Sequence, residues 1–355
     1  MNFLVIDGSQ GEGGGQVLRT ALTLSILTQT PIEVINIRAK RNKPGLLRQH
    51  LTSVKAAQSI SEAKTEGVEL GATRIRFSPK KVKPGDYHFS IGTSGSTVLV
   101  AQTIFPVLAL AQEPSTITFE GGTHNGMSPS LCFFKESYLP ALQQMGVNTH
   151  VDITSLGFYP AGGGHWRLTI HPTDKLIPID VLTAGSEFEK EPQRCSFKAL
   201  MSNLPDFIGQ KEVAMGRKVL GWETALGEVE QHHTIGPGNS FQAKIKGNGI
   251  TSLFEQTGEV GVSSERVAKR CAGRVKKFLK ASAAVEEHLA DQLLIPMALA
   301  GGGEFTTTEP SLHTKTNIDV IQNFLDINIQ VYPEADGLWR IKVSTKSHCE
   351  LKAST

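Results

Sequence analysis

The sequence predicts a mixed α/β (α+β) fold of three repeated units, each of two helices on a four-stranded sheet, with a smaller α/β domain inserted. An apolar helix, a short turn, a strand, a loop and a second helix follow one another in the same order three times. The strands after the first helices begin at Ile32, Ser115 and Glu304, so the second spacing is about a hundred residues longer than the first. This excess predicts an insertion. The alternative is that helix–strand alternation makes any α/β chain look repetitive.

The repeat pattern assigns most segments to helices or strands. The first unit has predicted helices over 16–27 and 45–59 and strands over 3–7, 32–38, 73–77 and 87–91. The second has helices over 97–111 and 129–145 and strands over 115–120, 148–153 and 165–170. The third has helices over 287–300 and 317–325 and strands over 304–308, 327–332 and 337–343.

The domain boundaries follow from the extra residues. Residues 1–180 and 281–345 are predicted to form a large domain. Residues 181–280 are predicted to form the inserted small domain, with a strand over 241–246 and a helix over 263–280. The polar segment 346–355 is expected to be a flexible tail.

The composition is typical of a globular protein, with 39% hydrophobic and 20% charged residues. No apolar run is long enough to span a bilayer and no signal peptide precedes the first strand, so we expect no membrane association and a cytoplasmic location. The four cysteines lie far apart without Cys-x-x-Cys spacing, which argues against a zinc site or a disulfide framework. Because the net charge is only +2, any nucleic-acid binding has to come from a local basic patch.

A glycine-rich loop connects the first predicted strand to the first helix. It reads Gly8-Ser-Gln-Gly-Glu-Gly-Gly-Gly-Gln-Val-Leu-Arg19. Glycines let backbone N–H groups turn toward an anion, and a helix N-terminus adds partial positive charge, so the loop suits a phosphate or a metal–phosphate pair. The single carboxylate, Glu12, is then explained as a ligand for a divalent cation. The loop lacks the Gly-Lys-Ser/Thr of a Walker A motif, and a tight turn with a solvated Glu12 is the alternative.

A basic loop follows the next strand of the first unit. The stretch from Arg38 to His50 has five Lys or Arg residues and no Asp or Glu. Arginine binds phosphate oxygens in two-point fashion, and Pro44-Gly45 begins a helix whose N-terminus also favours an anion. The loop therefore predicts phosphate binding, with a solvated basic loop as the alternative.

The corresponding loop of the third unit, from Glu309 to Asn317, contains His313 beside Lys315 and several hydroxyls. Such a histidine could serve as a base, a ligand or a nucleophile. The chain has eleven histidines, and most histidines are structural or solvated. His124 follows Gly121-Gly-Thr123 and could lie near an active cleft.

Four motifs occur in the same order as in RNA 3′-terminal phosphate cyclases. They are Gly11-Glu-Gly-Gly-Gly-Gln-Val-Leu-Arg19, Lys43-Pro-Gly-Leu-Leu-Arg-Gln-His50, Gly157-Phe-Tyr-Pro-Ala-Gly-Gly-Gly164 and Ala290-Asp-Gln-Leu293. The chain resembles this family from about residue 3 to residue 345. The resemblance implies three repeated units with an inserted small domain, in agreement with the repeat pattern. Leu156 and Trp166 depart from the family pattern, in which a basic and an aliphatic residue are usual.

The resemblance also implies a reaction. The family converts an RNA 3′-phosphate end to a 2′,3′-cyclic phosphate, with ATP as co-substrate and a divalent metal (Mg²⁺ or Mn²⁺), and releases AMP and pyrophosphate. His313 takes the place of the nucleophile, which attacks the ATP α-phosphate to give a histidine–AMP adduct. The RNA 3′-phosphate then accepts the adenylate, and the neighbouring 2′-hydroxyl displaces AMP, a step in which positioning supplies much of the rate.

The remaining site residues are implied in the same way. Glu12 would hold the metal. The implied ATP-binding residues are Gln102, His288, Leu289, Ala290, Asp291 and Gln292. The implied ligands of the RNA phosphates are Arg19, Arg38, Arg41 and Gln49.

Two other classes of function compete with this interpretation. A non-catalytic relative could act as a ribosome-assembly scaffold, but such relatives lack the nucleophilic histidine, which is present here as His313. A transferase of the enolpyruvyl type also has repeated helix–strand units, but it would not need a nucleophile at this position.

Overall fold

The computed structural model describes residues 2–346, so the predicted tail 346–355 lies outside the described residues except for Lys346. The described chain forms four four-stranded sheets with helices packed on them, which confirms the predicted mixed α/β fold. Three of the sheets share one pattern. In each, the first strand pairs in parallel with the second, a third strand pairs antiparallel with the second, and a fourth pairs antiparallel with the third at the edge of the sheet.

The first two repeats are continuous in sequence. The first contains β1, Leu4–Asp7; α1, Gly15–Thr28; β2, Ile32–Ile35; α2, Arg48–Ser61; β3, Lys64–Glu66; and β4, Ile75–Ser78. The second contains β5, Asp86–Ser90; α3, Thr97–Leu108; β6, Ser115–Gly121; α4, Leu131–Phe133; α5, Leu139–Gln144; β7, Asn148–Ser155; and β8, Gly164–His171. A π-helical turn, Phe134–Tyr138, joins α4 to α5.

The third repeat is interrupted after its first strand. That strand is β9, Asp180–Val181. The interrupting segment contains α6, Gly185–Glu189; β10, Cys195–Ser202; α7, Asp206–Leu220; β11, Leu226–His232; β12, Gly238–Lys246; β13, Thr251–Thr257; and α8, Ser264–Lys280. The repeat resumes with α9, Glu287–Gln292; α10, Leu294–Ala300; β14, Gly302–Thr307; α11, Leu312–Gln322; β15, Ile327–Ala335; and β16, Leu338–Thr345.

The fourth sheet lies within the interrupting segment, with strand order β11-β10-β12-β13. Helices α7 and α8 pack on it around a second core that includes Phe197, Trp222, Phe241 and Phe278. The predicted strand over 241–246 falls in β12, and the predicted helix over 263–280 matches α8. The division into a large domain, 1–180 and 281–345, and an inserted domain, 181–280, stays a prediction that this separate sheet and core support.

One strand assignment was wrong. The segment 87–91 was predicted to complete the first unit, but β5 pairs in parallel with β6 and belongs to the second sheet. Strand β4 is nearer to β5 in sequence than β6 is, but β5 reaches β6 through a crossover that contains α3, as a parallel pair requires. The fourth strand of the first sheet is instead β3, whose three polar residues carry no alternating pattern.

Helix α1 lies at the centre of the large core. It contacts α2, α3 and α11, which explains why Leu22, Leu24 and Ile26 are fully buried around its circumference. This packing brings the N-terminal ends of α1 and α11 together. No helix within residues 2–346 has the length and apolarity needed to cross a membrane.

The two departures from the family pattern are core positions. Trp166 is fully buried, stacks on Phe119 with ring centroids 4.5 Å apart and donates from Nε1 to Thr97 Oγ1 at 2.9 Å. Leu156 is buried in the same core. Both side chains therefore stabilise the second repeat.

Candidate active site

The glycine-rich loop, residues 8–14, joins β1 to α1 and touches α11. Gly11 and Gly13 have positive φ angles of 52° and 61°, which glycine adopts without steric cost. A Cβ atom at Gly11 would collide with the Thr316 side chain of α11. The loop backbone therefore lies directly against α11, and this contact brings Glu12 beside His313.

His313 lies in the first turn of α11. Ser311 caps the helix by accepting a hydrogen bond from the Thr314 N–H at 3.2 Å. The His313 side chain is 52% exposed, and its Nδ1 lies 2.9 Å from Gln16 Oε1 and 2.8 Å from Glu12 Oε2. Residues from the first and third repeats thus meet at one imidazole.

A chain of hydrogen bonds decides which ring nitrogen carries the proton. Gln16 Nε2 donates to both carboxylate oxygens of Asp291, at 2.7 and 2.8 Å, so the other end of the amide, Oε1, faces His313. Because Gln16 Oε1 can only accept, Nδ1 of His313 has to be the N–H. The lone pair of the neutral ring is therefore on Nε2.

Asp291 anchors this chain below the surface. It also accepts hydrogen bonds from Asn317 Nδ2 at 3.1 Å and Gln292 Nε2 at 3.0 Å. Burial raises the pKa of Asp291, and the hydrogen bond from Gln16 offsets part of that rise. Asn317 is held in turn by Thr20 of α1, whose hydroxyl donates to its Oδ1 at 2.7 Å.

Burial and nearby positive charges favour the neutral form of the His313 ring, whereas the Glu12 carboxylate, 2.8 Å from Nδ1, opposes them. Burial lowers the pKa of His313, and the positive charges of Arg19 and Arg41 act in the same direction, while Asp291 opposes them. A lowered pKa means that the imidazole stays unprotonated at neutral pH. The free Nε2 is then available as a nucleophile.

Glu12 forms an ion pair with Arg41 of the basic loop as well as contacting His313. Within residues 2–346, no group of three or more His, Cys, Asp or Glu side chains could hold a metal ion. Mg²⁺ in nucleotide sites usually binds through one or two carboxylates together with phosphate oxygens and water. A single partly exposed carboxylate beside the candidate nucleophile fits that kind of site, provided that Arg41 gives up its contact.

A cavity of about 330 Å³ opens beside His313. Its walls from the first and third repeats are Gln16, Arg19, Glu287, His288, Asp291, Gln292, Ser311 and His313. The second repeat contributes Leu99, the stretch 124–130 and Phe133. The interrupting segment adds Leu253, Glu255, Gln256, Thr257 and Arg274. The predicted position of His124 near a cleft agrees with this lining, and its Nε2 lies 3.7 Å from Glu255.

The six predicted ATP-binding residues divide into three groups. His288, Asp291 and Gln292 line the cavity. Leu289 and Ala290 are buried in the large core, at 0% and 2% exposure. Gln102 lines a smaller cavity of about 40 Å³ that also borders Arg19, Asp291 and Gln292, and its Nε2 has no hydrogen-bond partner within the described residues.

Of the four predicted phosphate ligands, Arg19 alone is among the residues that line the cavity. Arg19 lines both cavities, and burial lowers its pKa to about 10; Arg41 reaches the site through Glu12. Arg38 is buried, and its Nη1 donates to the carbonyls of Lys43 and Gly45 at 2.5 and 2.9 Å, which holds the basic loop in shape. Gln49 Oε1 accepts from the Ser96 N–H, next to the start of α3.

Sequence reasoning gave no role to Gln16 or Asn317. Gln16 belongs to a motif that was recognised, and it stands four residues after Glu12, but an amide side chain alone does not reveal its partners. The cavity wall from β13 and α8 was also missed, because no motif marks those residues. Only the packing of the interrupting segment against the second repeat brings them to the site.

Comparison with known proteins agrees with the geometry. A family model described as RNA 3′-terminal phosphate cyclase matches residues 10–331. The RNA 3′-terminal phosphate cyclase of Koribacter versatilis is 41% identical over 354 residues, which cover 99% of this chain and 98% of the relative. The enzymes of the same name from Ectopseudomonas mendocina and Salmonella agona are 41% and 40% identical over 96% and 97% of this chain and 98% of their own lengths. The chain therefore belongs to the RNA 3′-terminal phosphate cyclase family.

Proposed function

We propose that this protein converts an RNA 3′-phosphate end to a 2′,3′-cyclic phosphate at the expense of ATP, through a histidine–AMP intermediate on His313. The observation that carries the proposal is the neutral imidazole at the cavity, with Nδ1–H engaged by Gln16 and the Nε2 lone pair free. The names of the relatives, which cover nearly the full chain, support the same substrate class.

The first step is nucleophilic substitution at the α-phosphorus of ATP. Nε2 of His313 forms a bond to that phosphorus, the bond to the bridging oxygen breaks, and pyrophosphate leaves. The adduct places positive charge on the imidazole ring. Glu12 Oε2, 2.8 Å from Nδ1, stabilises that charge, and Gln16 keeps the ring in the reactive orientation.

The next two steps transfer and then release AMP. An oxygen of the RNA 3′-phosphate attacks the adenylate phosphorus, the N–P bond breaks, and the imidazole is regenerated. The adjacent ribose 2′-oxygen then attacks the 3′-phosphorus, loses its proton and displaces AMP. Arg19 lines the cavity and Arg41 pairs with Glu12 beside it, and both would hold the phosphates in line. The final attack requires a ribose 2′-hydroxyl, so DNA ends would not cyclise.

A divalent cation would bind Glu12 together with the triphosphate oxygens. When bound, the cation would neutralise the charge that develops on pyrophosphate. The carboxylate would then exchange its contact with Arg41 for the cation, which would leave the arginine free for an RNA phosphate.

The proposed ATP site extends from His313 along the cavity wall. His288 and Gln292 line the cavity, and the unpartnered amide of Gln102 lines the smaller cavity that Arg19 also borders. An unpartnered buried donor has an unmet hydrogen bond, which a phosphate oxygen or an ordered water would satisfy. The roles of Leu289 and Ala290 would be to pack the helix that presents Asp291.

The decisive experiment is adenylation of the protein in the absence of RNA. Incubation with α-labelled ATP and Mg²⁺ should give a protein-bound label that is labile to acid and stable to alkali, as expected for a phosphoramidate. His313→Ala should abolish the label, whereas His171→Ala, at an exposed position of β8, should retain it. Absence of label on the native protein would favour the scaffold or transferase alternative.

A second measurement isolates the later steps. Native protein should convert a 3′-phosphorylated oligoribonucleotide to a product lighter by one water. The same oligonucleotide with a terminal 2′-deoxyribose should stop at the adenylated end, because the attacking hydroxyl is missing. Cyclisation without prior labelling of His313 would contradict the covalent route.

A further inference from the structure

Helix α8 of the interrupting segment carries an unusual concentration of positive charge. Its sequence, SERVAKRCAGRVKKFLK, has seven Lys or Arg residues and one acidic residue. Six of the cations are exposed and follow helical spacing, so that they form one continuous surface, here called the basic stripe. The basic stripe consists of Arg266, Lys269, Arg270, Lys276, Lys277 and Lys280.

The opposite face of α8 explains why the cations point outward. Val267, Cys271, Val275 and Phe278 are buried in the second core, so the apolar side of the helix is already covered by protein. Gly273, in the middle of the stripe, has open space where a side chain would stand. The stripe is therefore an accessible, smooth, positively charged surface.

The charge of the stripe is largely uncompensated. Among residues 2–346, the carboxylate within ion-pair distance of a stripe cation is Glu259, which lies 3.7 Å from Arg270. The whole chain has a net charge of only +2, so six cations on one helix face are a local accumulation. Accumulations of this kind are typical of surfaces that bind polyanions.

The stripe is continuous with the active-site cavity. Arg274 is the seventh cation of α8, and it lies one helical turn from both Arg270 and Lys277. Its side chain donates to the Glu255 carbonyl and lines the same cavity as His313. A negatively charged chain that enters the cavity would therefore find the basic stripe at the edge of its path.

We propose that the basic stripe binds the sugar–phosphate backbone of the RNA strand whose 3′ end is processed. The proposal rests on the proposed function for the identity of the polyanion. From Arg266 to Lys280 the stripe extends about 21 Å, enough to follow several nucleotides of a single strand. A surface of lysines and arginines binds a strand mainly through its phosphates, which carry no sequence information, so we expect this binding to be largely independent of RNA sequence.

The burial of α8 distinguishes RNA from an anionic membrane. An amphipathic helix that lies on a lipid surface inserts its apolar face into the bilayer. The apolar face of α8 is held in the second core and is not free to insert. The exposed surface of α8 can therefore attract a partner only through its positive charges, which suits a flexible phosphate backbone.

The test compares two variants that lose the same charge. The stripe variant combines Lys269→Gln, Lys276→Gln and Lys277→Gln and leaves Arg274 unchanged. The control combines Lys80→Gln, Lys81→Gln and Lys83→Gln, exposed residues of a first-repeat loop beside Glu62. Binding of a 3′-phosphorylated RNA of about twenty nucleotides and of a 3′-phosphorylated trinucleotide is followed by fluorescence anisotropy over a range of salt concentrations.

The stripe variant should bind the long RNA at least about tenfold more weakly than native protein at moderate salt. The slope of log affinity against log salt should decrease in magnitude by about 2, since each single-strand phosphate contact contributes about 0.7. The trinucleotide should bind both variants as it binds native protein. The control should match native protein with both RNAs, and equal melting temperatures should show that each variant is folded.

Unchanged affinity of the stripe variant for the long RNA would overturn the proposal. An equal loss in the control would do the same, because the effect would then be one of net charge alone. Loss of binding to phosphatidylserine vesicles without loss of RNA binding would assign the stripe to a membrane instead. Adenylation of His313, measured on the same samples without RNA, reports separately on the proposed function, so failure of one is distinguishable from failure of the other.

Discussion

Two loops meet at the candidate nucleophile, and they are built differently. The first-repeat loop, residues 8–14, has two glycines with positive φ angles and leaves Glu12 within reach of both Arg41 and His313. The third-repeat loop is short and leads directly into α11, with Ser311 as its N-cap and Asn317 hydrogen-bonded to Asp291.

The difference indicates that the two loops have separate roles at the site. The third-repeat side fixes the imidazole by packing and by a buried chain of amide and carboxylate groups. The first-repeat side supplies charges that are partly exposed and can exchange partners, as a site has to do when pyrophosphate leaves and RNA enters. Three substitutions test whether this separation of roles holds.

Gln16→Ala should have the largest effect, because Gln16 joins the two sides. Loss of its Oε1 leaves Glu12 as the remaining partner of His313 Nδ1, and loss of its Nε2 removes two hydrogen bonds from buried Asp291. We expect the rate of histidine adenylation to fall about 10- to 100-fold, the range typical for groups that orient a functional histidine. Rapid-quench labelling with α-labelled ATP measures the rate. Gln112→Ala, at an exposed position, is the control, and equal rates for the two variants would contradict the orienting role.

Gly11→Ala should disturb the contact between the two loops. The new methyl group meets the Thr316 side chain and also imposes a positive φ angle on a non-glycine residue. We expect a loss of unfolding free energy of about 2–4 kcal/mol from overpacking and backbone strain. Gly71→Ala is the matched control, since Gly71 has a φ of 81° but open space around its Cβ position. If the two variants lost equal unfolding free energy in urea, backbone strain alone would explain the loss, and the contact between Gly11 and Thr316 would contribute nothing.

Arg41→Gln should have the smallest effect and a defined direction. Arg41 is one of the charges that lower the pKa of His313, and it also competes for Glu12. Removal of the Arg41 charge raises the pKa of His313. When the pH is lowered, the imidazole of the variant is therefore protonated, and inactive as a nucleophile, at a higher pH than in native protein. The acid limb of the adenylation rate should therefore move to higher pH, while Lys81→Gln leaves it in place. An acid limb that moves to lower pH would show that the charge of Arg41 does not control the protonation of the His313 ring.

Much of the fold followed from local pattern. The helix of the interrupting segment was predicted to within a residue because α8 has a continuous apolar face, a serine N-cap and lysines in its last turn. The strand β3 was missed because three polar residues carry no periodic signal. The partner of β5 was misassigned because β4 is nearer to it in sequence, whereas the crossover through α3 pairs β5 with the following strand, β6.

The site divides in the same way. A lone carboxylate among glycines suggested Glu12 as a cation ligand by its chemistry, whereas the resemblance to the cyclase family was needed to single out His313 among the eleven histidines. Gln16 and Asp291 are 275 residues apart, so the sequence does not show that their side chains form a hydrogen bond. Leu289 and Ala290 stand in the same motif as Asp291, yet helix geometry turns them into the core.

The sequence by itself determined the local features: the repeated helix–strand order, the long insertion and the presence of a carboxylate, a histidine and basic loops at strand ends. The tertiary structure decided which of these meet. Because α1 is buried between α2, α3 and α11, the N-terminal ends of α1 and α11 are pressed together, and the glycine loop falls beside His313. Such contacts come from the burial of apolar helix faces far from the site, a property of the whole core that no single motif encodes.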